Sequence, residues 1–272
     1  MLKANYHTHT ELCGHAVGKV MDYVNQAIKL GFTKLGISDH AHIPESFMTE
    51  NEYKHNYLDE SMTSDEFEKI YVKEVIKAKQ NPNIKIFLGL ETEYLPEFHN
   101  YFADLRKKVE YLNLGIHFFN YNGVNYSTYD PLNSELILGY TDTAIKAMET
   151  GLYKIFVHPD LFMINYYSRD EHRVFDETCK YCSQKIINTA ITNDVYLEIN
   201  AGGIKNGIKK INGKSEYLYP RTEFWTLVSY TKAKVIIGID AHDPSDFEGQ
   251  AVLKAKQFAS QFDLNLCDFV KF

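Results

Sequence analysis

Nine side chains able to ligate a metal ion recur at matching places along this chain: His7, His9, His15, His40, Glu91, His117, His158, Asp240 and His242. Imidazole nitrogen and carboxylate oxygen are the donors that suit zinc, manganese and iron. Most of the nine follow a short apolar run: LGIS before Asp39-His40, IFLGL before Glu91, LNLGI before His117, KIFV before His158 and VIIGI before Asp240. A lone histidine is more often a hydrogen-bonded surface or near-core residue, and an HxH such as His7-Thr8-His9 arises by chance. Together they carry more weight, because seven of the chain's 11 histidines stand at or just past such runs. Side chains two apart on a strand share a face, so His7 and His9 point the same way. The chemistry this set can do is that of a multinuclear metallohydrolase.

The elements that must position these groups alternate from end to end. Strand patterns cover 3–8, 34–38, 84–91, 111–116, 153–157, 195–199 and 234–239, with helical patterns over 20–31, 64–80, 97–110, 134–150, 170–193, 221–232 and 245–260. Gly31, Gly151 and Asn193-Asp194 stop three of the helices, and Thr63 or Ser64 caps the second. Near-continuous apolar strands flanked by helices fit a parallel sheet covered on both faces. With no linker and no break in composition, residues 1–272 read as a single domain of seven strand–helix units, a closed or nearly closed barrel. A doubly wound open sheet is the alternative, but it gathers ligands at one switch point, whereas these candidates are spread over the strand ends and the loops that follow. A barrel brings the C-terminal strand ends to one mouth, where the active site belongs. The long polar loops 42–63, 118–133, 159–170 and 200–220 form its rim and carry many aromatics, among them Phe47, Tyr53, Tyr57, Tyr129 and Tyr219. These either line a substrate pocket or pack on one another.

Composition sets further limits. Lys+Arg 29 against Asp+Glu 36 gives a net charge of −7, which argues against nonspecific nucleic-acid binding. No apolar run approaches the ~18 residues needed to span a membrane, and the Met1-Leu2-Lys3 start leads into a strand rather than a signal peptide, so a cytoplasmic protein is expected. Cys13, Cys179, Cys182 and Cys267 do not form a disulfide framework in a chain of 272 residues. Cys179-x-x-Cys182 lies within a helical pattern and lacks the turn a metal knuckle needs.

The motifs His7-Thr8-His9-Thr10, Ser38-Asp39-His40, Gly89-Leu90-Glu91, Gly115-Ile116-His117, Val157-His158-Pro159 and Gly238-Ile239-Asp240-Ala241-His242 resemble, in order, those of the polymerase-and-histidinol-phosphatase (PHP) superfamily. Within it the likeness is to the monofunctional histidinol-phosphatases of histidine biosynthesis, with HTHTELCGHA and SDHAHIP pointing that way. The resemblance implies a distorted (β/α)7 barrel holding three divalent metal ions, zinc, manganese or iron. It implies that His7, His9, Glu91 and Asp240 hold the first, that Glu91 bridges to a second held by His117 and His158, and that His15, His40 and His242 hold the third. The implied activity is hydrolysis of the small phosphate monoester L-histidinol phosphate to L-histidinol and phosphate.

Electrostatics agrees with an anionic substrate. Three divalent ions less the charges of Glu91 and Asp240 leave about +4, which calls for hydroxide and a phosphate dianion. A metal-bridging hydroxide attacking phosphorus in line is the expected mechanism. Asp160 and His42 are candidates to protonate the leaving alkoxide, and each has a plainer role as a turn cap or a rim residue. Arg221, Arg169 and Lys205 are candidate phosphate clamps; Arg221 opens a helix, whose positive end favours phosphate, but it could instead pair with Glu223. Glu45 and the rim tyrosines are candidates for the substrate's imidazole and ammonium. Rival readings are a nuclease-like phosphodiesterase, which needs a basic groove, a non-catalytic scaffold, which needs no complete ligand set, and a phosphatase for another small ester, which differs only in its rim loops.

Overall fold

A computed structural model describes residues 2–43, 61–168, 171–211 and 213–272 of the chain. Eight parallel strands, β1 (Ala4–Asn5), β2 (Lys34–Ile37), β3 (Lys85–Thr92), β4 (Tyr111–Leu114), β5 (Ile155–Phe156), β6 (Tyr196–Asn200), β7 (Lys234–Gly238) and β8 (Asn265–Leu266), lie side by side in sequence order. Among the described residues one principal helical segment follows each of the first seven strands: α1 (Val20–Lys29), α2 (Ser64–Ala78), α3 (His99–Lys108), α4 (Ser134–Glu149), α5 (Glu177–Thr192), α6 (Thr222–Ser229, after a short helix Ala201–Lys205) and α7 (Gln250–Ala259). This is an α/β barrel of seven strand–helix units, and it is distorted at one seam. At the C-terminal rim the chain beyond β1 pairs with the chain beyond β7, where the His9 N–H donates to the Ala241 carbonyl at 2.8 Å. Below that point the two strands part, and β8 pairs with β7 instead.

Local sequence explains the helix ends. Thr63 caps α2 by accepting from the Glu66 N–H, while the Glu66 carboxylate accepts from Thr63. Gly31 and Gly151 follow α1 and α4 with φ of 78° and 71°, and Asp194 follows α5 with φ 54°. The inner face of α1 buries Val20, Tyr23, Val24 and Ala27 against the sheet, roughly 1.5–3 kcal/mol for each large side chain. Cys179 and Cys182 are fully buried ordinary residues of α5.

Two expectations shift. The helical pattern over 170–193 becomes a helix only from Glu177, since Tyr167–Ser168 and Glu171–His172 pair as a small hairpin. Two of the rim segments contain hairpins: Phe118–Tyr121 with Val124–Ser127, turning at Asn122-Gly123, and Ile208–Ile211 with Lys214–Tyr217. Asn122 and Gly123 both have positive φ, the conformation an Asn-Gly turn supplies.

The interior divides in two. An apolar plug of Tyr6, Phe87, Tyr111, Ile155, Val157, Tyr196 and Ile236 closes the N-terminal end of the barrel, with the Phe272 ring 4.6 Å from that of Tyr111. The C-terminal end is polar, and there the candidate ligands lie. Among the described residues no helix is long and apolar enough to cross a membrane.

Candidate metal centre

All nine proposed ligands converge at the polar end of the barrel. Glu91, near the end of β3, stands at the middle with its two oxygens facing different partners. Its Oε2 lies 2.9 Å from His7 Nε2 and 3.2 Å from His9 Nε2, and its Oε1 lies 3.1 Å from His158 Nε2 and 3.6 Å from His117 Nε2. Asp240, just past β7, puts Oδ1 3.3 Å from His7 Nε2 and 3.2 Å from His9 Nε2. On the far side of His9, the rings of His242 and His40 lie 4.1 and 4.4 Å from it, and His15 Nε2 is 2.9 Å from His242 Nε2. The backbone is strained where two of the candidates sit: His158 has φ 35° and Asp240 φ 56°, conformations costly for residues other than glycine.

The donor set fits cations. Both ring nitrogens of His9 are buried without a well-directed hydrogen bond, their carboxylate neighbours standing at 3.2–3.5 Å, and Nδ1 of His158 is buried without one as well. Donor atoms of His7, His9 and Asp240, of His7, Glu91 and His158, and of His9, His40 and His242 lie within 4.8 Å of one another. Without metal, protons take up the charge imbalance. Burial opposes charge on the His7 ring, but Asp240, Glu198 and Glu91 outweigh it and hold its pKa well above the ordinary value. The His9 pKa is likewise raised: burial is outweighed by Asp240 and Asp39. Glu91 and Asp240 are held well below the usual carboxylate range, burial being overcome in each by His7 and its neighbours. Burial together with His9 lowers His242 to about 4. Nitrogens that must carry protons to satisfy adjacent carboxylates are nitrogens a divalent ion would occupy instead.

Three buried carboxylates to which the sequence assigned no role orient these histidines, Asp39 among them although it stands in one of the motifs. Glu198 of β6 lies 2.9 and 3.1 Å from His7 Nδ1 and accepts from the His158 N–H at 3.2 Å and from Asn200 Nδ2 at 2.9 Å. Glu93 lies 2.7 Å from His117 Nδ1 and accepts the N–H groups of His117 and Phe118. Asp39 stands 3.5 Å from His9 Nδ1 and accepts the Thr10 N–H. An ionised carboxylate only accepts, so His7 and His117 present the proton on Nδ1 and turn Nε2 inward. Asp39 is in turn braced from α2: Tyr71, in a π-helical turn over Phe67–Tyr71, accepts the Asp39 N–H and donates to the Gly89 carbonyl. Two glycines leave room for the acids. A Cβ on Gly238 would stand 1.6 Å from Glu198 Oε1, and one on Gly115 would stand 2.3 Å from Glu91 Oε1.

The PHP domain family model matches residues 5–202 of the sequence. The chain belongs to the PHP domain family. Among curated relatives, histidinol-phosphatase of Bacillus subtilis (strain 168) is 30% identical over 103 residues, a match that covers 37% of either chain. A provisionally assigned histidinol-phosphatase of Schizosaccharomyces pombe (strain 972) is 25% identical over 262 residues, covering 88% of this chain and 80% of the relative. Among solved structures, a provisionally assigned histidinol phosphatase from Listeria monocytogenes superposes with a TM-score of 0.74 at 22% identity, over 90% of this chain and 97% of the other. Histidinol phosphate phosphatase from Lactococcus lactis subsp. lactis Il1403, solved with zinc, L-histidinol and phosphate, gives 0.69 at 16% identity over 99% of both chains. At these identities the superpositions establish the shared fold.

The candidates beyond the nine are placed less centrally in this PHP domain. The His42 ring packs against Phe67 and Tyr101, at 5.7 and 5.5 Å between centroids, and burial lowers its pKa. That position, between α2 and α3, does not suit a proton donor in the mouth. Arg221 is fully buried, its guanidinium paired with Glu216 and Glu223 at 3.0 Å each, so it is not a free phosphate clamp. Asp160 sits beneath it, accepting the Arg221 N–H at 2.6 Å, and burial raises its pKa to about 7. Lys205 pairs with Asp246 at 2.6 Å beside a cavity of about 280 Å³ whose wall includes Gly202 and Asp240. Arg169, Glu45, Phe47, Tyr53 and Tyr57 lie outside the described residues. Of the remaining rim aromatics, Phe119, Phe162 and Tyr166 are buried in the core. Tyr129 and Tyr219 face the centre: Tyr129 stacks parallel to His117 at 6.0 Å, and Tyr219 meets His158 edge-on at 6.3 Å.

Proposed function

We propose that this PHP domain, as one catalytic unit spanning 1–272, is a metal-dependent phosphomonoesterase that hydrolyses L-histidinol phosphate to L-histidinol and phosphate. The observation that carries the reading is the central carboxylate of Glu91, whose two oxygens face two histidine pairs, His7 with His9 and His158 with His117. That is the arrangement a carboxylate shared between two cations requires. His7, His9, Glu91 and Asp240 would hold one ion, Glu91, His117 and His158 a second, and His15, His40 and His242 a third. Bound divalent ions would supply Lewis-acid charge for the phosphoryl oxygens and lower the pKa of a nucleophilic water.

The chain's own residues do the rest. Glu198, Glu93 and Asp39 fix the rings of His7, His117 and His9, so that donor geometry is set before substrate arrives. Counting these three buried acids lowers the charge expected for a loaded site from about +4 to about +1, still suited to an anion but without the excess that would hold product phosphate too firmly. Tyr129 and Tyr219 form walls of the mouth against which an imidazole can stack. Asp160 remains a candidate donor to the leaving alkoxide, because a carboxyl with its pKa near 7 carries a proton in part at neutral pH. The names of the B. subtilis, S. pombe and L. lactis relatives support the choice of substrate.

The test is phosphate release by metal-quantified protein from L-histidinol phosphate, an aryl phosphate, a sugar phosphate and a dinucleotide diester. Preference for histidinol phosphate, lost in His117→Ala, is expected. Equal or better turnover of another monoester would move the enzyme to a different substrate, and preference for the diester would refute the monoesterase reading.

A further inference from the structure

We propose that Cys13 is a ligand of the ion assigned to His15, His40 and His242, so that this position is a mixed thiolate–imidazole site. The inference rests on the metal reading above and adds to it a residue that reading leaves out.

The geometry is built by the turn after β1. Thr10 caps a short 3-10 turn, Glu11–Cys13, which Gly14 ends in the left-handed conformation at φ 79°. The turn carries Cys13 back under the mouth, where it is fully buried, and throws His15 across it. The His15 ring is anchored through Nδ1, 3.1 Å from the Cys13 carbonyl, and its Nε2 points at His242. As a result Cys13 Sγ and the ring nitrogens of His15 and His242 all lie within 4.8 Å of one another. A tetrahedral cation with bonds of about 2.3 Å to sulfur and about 2.0 Å to nitrogen holds the two donors roughly 3.5 Å apart, so closing the set requires shifts of no more than about 1.3 Å. Cys13 also lies within the same limit of His9 and Asp39, and His9 is the ring whose two buried nitrogens make no well-directed hydrogen bond. The other three thiols are elsewhere: Cys179 and Cys182 within α5 and Cys267 after β8.

The chemistry follows from the donor. Binding replaces the S–H proton with the metal, and that proton leaves to solvent. A thiolate makes the site softer than one of imidazole and carboxylate alone, favouring zinc or iron(II) there over manganese or magnesium. The two ions around Glu91 keep only nitrogen and oxygen donors, so the three positions would differ in selectivity.

The test uses the whole protein. Zinc-loaded wild type is examined by X-ray absorption, and cobalt(II)-loaded wild type, Cys13→Ser and Cys267→Ser by optical spectroscopy, with bound metal counted in every sample. Ligation predicts a sulfur scatterer at about 2.3 Å on zinc. It predicts a thiolate-to-cobalt charge-transfer band kept in Cys267→Ser and lost in Cys13→Ser. It also predicts that Cys13→Ser weakens zinc binding at one position by at least about tenfold, with little change for manganese. Metal-loaded wild type with no sulfur scatterer and no band would overturn the proposal, and Cys13 would be only a hydrogen-bond partner of His9. That result needs no variant to fold and leaves the phosphatase reading intact. Failure to bind any metal would overturn both readings.

Discussion

Replacing Glu198 with Gln tests whether the buried acids prepare the metal centre. The carboxylate meets three groups: the His7 ring at Nδ1, the His158 N–H and the Asn200 amide nitrogen. All three act as donors toward it. Gln is nearly isosteric but brings an NH2 that must face at least one of them, leaving a buried donor unsatisfied at a cost of about 1–3 kcal/mol. The positions that suffer are those that aim His7 and His158. Removing such an orienting partner costs a metal site about 10–100-fold in affinity, or roughly 1.4–2.7 kcal/mol. Gly238→Ala attacks the same carboxylate from outside, because the new methyl would overlap Glu198 Oε1. We therefore expect both variants to weaken metal binding to a similar degree in chelator competition, and the double variant to be little worse than either single one. Unchanged affinity in Glu198→Gln, with the fold intact by circular dichroism, would refute the reasoning. Full additivity in the double variant would show that Gly238 acts by some other route.

Further outcomes follow from the same geometry. Glu93→Gln should weaken the ion assigned to His117 and His158 by about 10–100-fold and spare the others, seen as loss of one metal equivalent on graded chelation. Metal loading should release protons, and occupancy should fall as pH is lowered, because the His7 and His9 pKa values are raised in the metal-free protein; calorimetry in buffers of different ionisation enthalpy counts the protons. Removing metal should lower stability by about 2.7 kcal/mol for each site held at a hundredfold excess over its Kd, read as a shift of the urea midpoint. Asp160 keeps its proton in the fold up to about pH 7 and loses it near 3.9 when unfolded. Its contribution is therefore full below about pH 4 and is lost as pH rises through about 7, a span of roughly 4 kcal/mol. Asp160→Asn should flatten the decline in stability between about pH 4 and 7 in the metal-free protein, and an unchanged slope would show that Asp160 ionises normally.

The barrel was legible because its signals are local. Each of the first seven strands lies in an apolar run, and three of the helices end where Gly31, Gly151 or Asp194 takes a positive φ. The places where the reading slipped are those where the chain pairs with itself inside a loop. The Asn122-Gly123 turn is a strong hairpin signal, but Phe118–Ser127 lacks the clean alternation of a half-buried strand, since both hairpin strands rest on a rim of mixed polarity. The eighth strand is only Asn265–Leu266, too short to register as a pattern, and exists because β7 is left without a neighbour where β1 turns away.

The metal-facing residues and the acids behind them differ in legibility for a physical reason. Histidine is rare, so seven at strand ends stand out. Aspartate and glutamate are common, and a single one among apolar residues looks like noise. Yet Glu198 interrupts the buried run Tyr196–Asn200, and Glu93 follows Glu91 by two on an extended chain, which puts both acids on one face. A charge placed where water cannot reach it must have a partner. The partners here are the histidines already singled out, so the rule that finds Glu198 and Glu93 is the cost of burying them alone. Arg221 obeys the same rule in the opposite sense: an arginine drawn inside finds Glu216 and Glu223, and is thereby withdrawn from any role in gripping phosphate. On the phosphatase reading, phosphate recognition among the described residues would then fall to the proposed cations and to the tyrosine walls rather than to Arg221. On that reading the burden of specificity falls on the rim, where Tyr129 and Tyr219 stand beside His117 and His158.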